Sequence, residues 1–117
     1  MKEFDLKPRT KQFALRIIKL FRSLPKSPDA QVVGKQILRS GTSVGAQYRE
    51  ACRSRSDAEF ISKMTSSLQE LDETAYWLEL LVEGEFVKAE KMKGLQDETD
   101  QLIAIFVTSI KTTRSKK

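Results

Sequence analysis

Histidine is absent from the 117-residue chain, and cysteine occurs once, as Cys52. The two commonest soft metal ligands and the usual general base are therefore missing, which excludes a zinc site, a disulfide within the chain and any pairing of a nucleophile with a histidine. Five glycines and three prolines leave room for few turns, so the regular elements must be long. No apolar stretch of roughly 18 residues without charge occurs, so no segment is suited to cross a bilayer as a helix. With 39% apolar and 32% charged residues, the chain is too apolar for a disordered polymer, and its length suits one domain over residues 1–117. The start, Met1-Lys2-Glu3-Phe4-Asp5, carries two acids and no apolar stretch behind it, unlike a secretory signal. The expectation is a cytoplasmic protein in which Cys52, beside Ala51, is a small packing residue.

What is present is helical periodicity. Leu24-Pro25-Lys26-Ser27-Pro28 ends one helix at Pro25 and offers Ser27 as a cap, with Pro28 at the first position of the next. Ser56-Asp57-Ala58-Glu59 has the spacing of a capping box. Glu83-Gly84-Glu85 places a glycine where a left-handed residue often follows a helix end. These turns predict helices over about 9–24, 28–54, 57–82 and 86–113, with a basic tail at 114–117. Each segment has an apolar stripe at three-four spacing: Phe13, Ile17, Leu20, Phe21 and Leu24; Val33, Ile37, Val44 and Tyr48; Phe60, Met64, Leu68, Leu71, Ala75, Leu78 and Val82; Met92, Leu95, Leu102, Phe106 and Ile110. Such helices cannot bury their stripes alone, and short connections make neighbours antiparallel. The expected fold is all-α, an antiparallel up-and-down four-helix bundle.

Charge divides along the chain: net +9 over residues 1–55, −8 over 56–100 and +4 over 101–117. Helices one and two are basic and helix three is acidic, so adjacent helices complement each other. The second helix holds the least expected segment, Arg39-Ser40-Gly41-Thr42-Ser43-Val44-Gly45-Ala46-Gln47-Tyr48. Each glycine in a helix interior costs about 1 kcal/mol relative to alanine. Gly34, Gly41, Gly45 and Cys52 fall on one face, making a groove that admits another helix, either from the same chain or from a neighbouring subunit. The run lacks the spacing and lysine of a phosphate-binding loop. Arg39 and Arg49 flank this face, and Arg49 is placed to pair with a glutamate of helix three, Glu73 or Glu79, or to meet nucleic acid. Trp77 and Leu80 widen the apolar stripe of helix three, pointing to a second packing face between subunits.

The run from Arg39 to Ala51, followed by Asp57-Ala58-Glu59-Phe60-Ile61-Ser62-Lys63 and Glu73-Thr74-Ala75-Tyr76-Trp77-Leu78-Glu79-Leu80-Leu81, closely resembles the bacterial four helix bundle protein family. That family is also called the 23S rRNA intervening sequence protein family. The resemblance implies a four-helix bundle that assembles into a ring-like homopentamer. A related branch, the accessory protein of diversity-generating retroelements, implies nucleic acid and a reverse transcriptase as partners. This chain departs from that branch in its acidic third helix, so a nucleic-acid surface must come from helices one and two and the tail.

The expected function is therefore non-enzymatic: an oligomeric bundle that binds RNA or DNA through Arg9, Lys11, Arg16, Lys19, Arg22, Lys26, Arg39 and Arg49, without a groove-reading motif. Gly34, Gly41, Ser43, Gly45, Tyr48, Trp77 and Leu80 are the expected helix-packing or oligomer-interface residues. The alternative is a protein-interaction scaffold with no nucleic-acid role. No cofactor is expected. Acidic pairs such as Asp72-Glu73 and Asp97-Glu98 point about 100° apart on a helix and make no catalytic couple.

Overall fold

The computed structural model describes residues 5–116. Four helices account for nearly all of them: α1 (Leu6–Ser23), α2 (Pro28–Cys52), α3 (Asp57–Glu83) and α4 (Ala89–Arg114). Each packs on its sequence neighbour and α1 closes on α4, while the diagonal pairs stay apart. The result is an up-and-down four-helix bundle 51 Å long and 22 by 20 Å across. The α1·α4 side is the thinnest of the four.

Local chemistry explains the ends. Asp5 accepts a hydrogen bond from the Lys7 amide at 3.1 Å and caps α1, so this helix starts at Leu6 and not near residue 9. Pro8 does not delay the start, because the first turn needs no intrahelical N–H. Ser27 is the N-cap of α2 through its backbone alone. The Ser56 hydroxyl accepts from the Glu59 amide at 3.1 Å, while the Glu59 carboxylate accepts from the Arg55 amide at 3.0 Å, one residue before the partner a reciprocal box predicts. At the end of α3 the Glu85 amide donates to the Val82 carbonyl and the Phe86 amide to the Leu81 carbonyl, the paired bonds of a Schellman motif. Glu85 takes the left-handed conformation with φ 66°, and Gly84 does not. A Cβ on Gly84 would stand 2.9 Å from the Leu80 carbonyl and 3.0 Å from the Phe86 ring, so the glycine admits the ring. This turn consumes residues to Lys88, and α4 starts at Ala89, three residues later than the apolar spacing predicts.

The core runs the length of the bundle through Phe13, Ile17, Ile37, Val44, Met64, Leu71, Leu78, Leu102 and Phe106. On α3 the buried face is Met64, Ser67, Leu71, Thr74, Leu78 and Leu81, whereas Phe60, Leu68, Ala75 and Val82 are half-buried. The face is thus turned towards α2, where two hydrogen bonds from small hydroxyl side chains let the helices approach. Ser67 donates to the Val44 carbonyl at 2.8 Å, and Ser40 lies 2.8 Å from the Thr74 hydroxyl. These buried hydroxyls are tolerated because each has a partner.

Candidate functional site

The glycine face of α2 is filled from within the chain. A Cβ on Gly41 would stand 2.7 Å from Ile17 Cγ1, one on Gly45 3.0 Å from the Thr10 hydroxyl, and one on Gly34 2.8 Å from Leu24 Cδ1. All three contacts come from α1 or the residue after it, so the close approach is α1 on α2. The helix runs unbroken through this segment, its amides engaged in helical bonds, and Ser43 donates back to the Arg39 carbonyl at 2.7 Å. Tyr48 is buried against Phe106, ring centroids 6.0 Å apart. Burial, with the Cys52 thiol beside it, pushes the Tyr48 hydroxyl up to about 12. Cys52 is exposed among the described residues, contrary to a packing role.

The cations divide into two groups. Arg9 reaches from α1 to α4, donating to Glu98 through Nε at 2.8 Å and Nη2 at 2.9 Å, and to Gln101 Oε1 at 2.8 Å. This two-pronged bond raises the Arg9 guanidinium above its ordinary value and ties the thinnest side of the bundle. Arg39 reaches Glu73 and also Glu70, at 3.3 Å, on α3. Glu73 accepts in addition from the Trp77 indole N–H at 3.0 Å. The Arg39 bond first, and the indole second, hold the Glu73 carboxyl below its usual range. Arg39 is half exposed, so the pair contributes at most about 1 kcal/mol. It is Arg39, and not Arg49, that fixes α2 against α3. Their separation of ten positions puts Arg49 about 80° away around the helix, on the flank towards α1. There it shares a shallow concavity with Lys11, Thr42 and Ala46.

Lys11, Arg16, Lys19, Arg22, Lys26 and Arg49 are exposed, and none has a carboxylate partner among the described residues. Three more exposed cations belong to the same surface and escape a motif-centred reading: Lys7 on α1, Lys35 on α2 and Arg53 after it. Lys35, Arg49 and Arg53 fall within about 40° on a helix, which is the signal that finds them. Trp77 and Leu80 are half-buried, while Tyr76 next to them is 52% exposed. Lys117 lies outside the described residues, as do Met1 to Phe4. Among the described residues no three histidine, cysteine, aspartate or glutamate side chains cluster to hold a metal, and no helix is long and apolar enough to cross a membrane.

Comparison with known proteins follows the same lines. The family model of the 23S rRNA-intervening sequence protein matches residues 2–108. Among solved structures, the chain is similar to a protein of unknown function from the S23 ribosomal protein family of Bacteroides thetaiotaomicron. The two are 39% identical, with 91% of this chain and 98% of that one covered and a TM-score of 0.85. A search of curated proteins found no match.

Proposed function

The chain belongs to the 23S rRNA-intervening sequence protein family, and from that premise we propose that it is a non-enzymatic, homo-oligomeric cytoplasmic bundle. It binds RNA, or another nucleic acid, through the outward cations of α1 and the adjoining flank of α2. The observation that carries this reading is the division among the cations. Arg9 and Arg39 are taken up by carboxylates of α4 and α3, whereas Lys11, Lys19, Arg22 and Arg49 are exposed with no carboxylate partner among the described residues. Exposed lysines and arginines repeated along α1 and the adjoining flank of α2 suit a phosphate backbone, whose condensed counterions they release. Contacts of this kind position a nucleic acid without reading its sequence.

Assembly multiplies the effect, because repeated basic faces act together on one strand. The ring of five that the family resemblance implies draws support from the α2·α3 side, where Val32 is 64% and Tyr76 52% exposed near half-buried Trp77 and Leu80. The glycine face takes no part, being spent on α1. Protein purified at low salt should carry nucleic acid and have the solution mass of an oligomer. A protein partner such as a reverse transcriptase that stays bound after nuclease treatment, with no nucleic acid recovered, would favour the scaffold reading instead.

A further inference from the structure

One corner of the bundle is open among the described residues. Arg9 of α1 lies opposite Glu98 and Gln101 of α4, and α1 starts only three residues before Arg9, so the last turns of α4 extend beyond it. They leave a cavity of about 450 Å³ lined mainly by apolar surface, with Leu6, Tyr48, Phe60 and Ile105 at its base and Thr108 and Ser109 along its lip. That volume is within the roughly 300–1,000 Å³ of small-molecule sites. A second concavity, of about 350 Å³, adjoins it at the end of the bundle and shares Phe60 and Thr113 as walls. Its lining is mixed: Ser54, Arg55, Asp57 and Lys116 stand beside Ala51 and Cys52. The Ser54 Oγ is buried without a hydrogen-bond partner among the described residues. The Arg55 guanidinium has no carboxylate partner there, although the Arg55 amide donates to the Glu59 carboxylate at 3.0 Å, and Lys116 stands 3.7 Å from Asp57 in a pair exposed on both sides.

We propose that this trough binds a single-chain amphiphilic anion, a fatty carboxylate, with its hydrocarbon chain against Tyr48, Phe60 and Ile105 and its carboxylate between Arg55, Lys116 and the Ser54 hydroxyl. The argument is one of complementarity. The apolar half buries hydrocarbon at roughly 25 cal/mol per Å². The polar half holds two cations and a donor whose burial without a bond is unfavourable. Asp57 is the competitor: it occupies Lys116 when the site is empty and repels a carboxylate when it is filled. The trough uses none of the α1 and α2 cations assigned to nucleic acid, and its α2 and α3 walls do not include Val32, Tyr76, Trp77 or Leu80, so the proposal does not rest on nucleic-acid binding.

Titration calorimetry of the full chain with dodecanoate below its micelle-forming concentration tests this, with dodecanol as the chain-only probe and acetate as the head-only probe. Dodecanoate should saturate at one site per chain. Thr108 is exposed, so Thr108→Trp is tolerated by the fold and should block the apolar half, weakening dodecanoate and dodecanol alike by about tenfold or more, equivalent to ~1.4 kcal/mol. Arg55→Gln with Lys116→Gln should weaken dodecanoate by about tenfold and leave dodecanol unchanged, and Asp57→Asn should tighten dodecanoate alone. Absence of saturable binding overturns the proposal. So does an equal effect of the charge variants on both probes, or full competition by acetate. A changed solution mass for Thr108→Trp also overturns it, since the trough would then be a contact between copies of the chain.

Discussion

Replacing Gly41 by alanine sets two effects of opposite sign against each other. Alanine gains about 1 kcal/mol over glycine in a helix interior. Its Cβ, however, would stand 2.7 Å from Cγ1 and 2.9 Å from Cγ2 of Ile17, about 1 Å inside the usual 3.5–4.0 Å carbon separation. Both contacting atoms branch from the Ile17 Cβ, which has one strongly preferred rotamer in a helix, and Ile17 is fully buried. The side chain cannot swing away, so α1 has to lift from α2. Overpacking of this kind costs about 1–3 kcal/mol, and the expected balance is a net loss near 1 kcal/mol. Gly94 supplies the reference, since it is exposed and a Cβ there meets only the tip of Arg16, at 3.3 Å. Gly94→Ala should therefore gain about 0.5–1 kcal/mol. In thermal melts at one fixed protein concentration, which mass action through assembly requires, the two variants should shift Tm in opposite directions by about 2–4 °C each. If both glycines respond with the same gain, the α1 contact is not what keeps Gly41 small.

The turn after α3 predicts a second pair of opposite shifts. Glu85→Gly relieves a left-handed residue at φ 66° and should stabilise by about 1 kcal/mol. Gly84→Ala, which drives a Cβ against the Leu80 carbonyl and the Phe86 ring, should destabilise in the same melts. Tyr48, raised by burial to about 12, contributes stability that is intact below the ordinary tyrosine value near 10 and is lost as pH climbs from there through the folded value. Urea unfolding followed across that alkaline window should fall in the parent and flatten in Tyr48→Phe. An identical fall in the variant would mean that Tyr48 is not the titrating group.

The bundle was legible because four apolar stripes at three-four spacing leave a short-turned chain little other choice: the α4 stripe agrees with the buried residues, and those of α1 and α2 agree except at half-buried Leu20, Phe21 and Val33. The α3 face was misplaced by one position, since Ser67 and Thr74 read as polar in sequence. Their burial depends on the Val44 carbonyl and the Ser40 hydroxyl, which belong to another helix. The same long-range dependence hid the true partner of Arg39. Helix phase alone puts Arg39 and Arg49 about 80° apart on α2, but which of them meets α3 is decided by the order of the helices around the bundle. The glycine groove was visible as a groove, and its occupant was not, because a small-residue face fits a neighbouring subunit as well as α1. The late start of α4 escaped notice because the strain is carried by a glutamate beside the glycine expected to carry it.

The free cations of α1 are the centre of the account, and the salt dependence of RNA affinity tests them most directly. Measured by fluorescence anisotropy on a short single-stranded RNA, affinity should fall steeply between about 50 and 200 mM salt. The combined variant Lys11→Ala, Lys19→Ala and Arg22→Ala should flatten the plot of log affinity against log salt by about 0.7 for each phosphate contact removed, while Arg39→Gln, whose charge is held by Glu73, leaves the slope in place. Binding that is absent or indifferent to salt, or a slope that the α1 variant does not change, would contradict it.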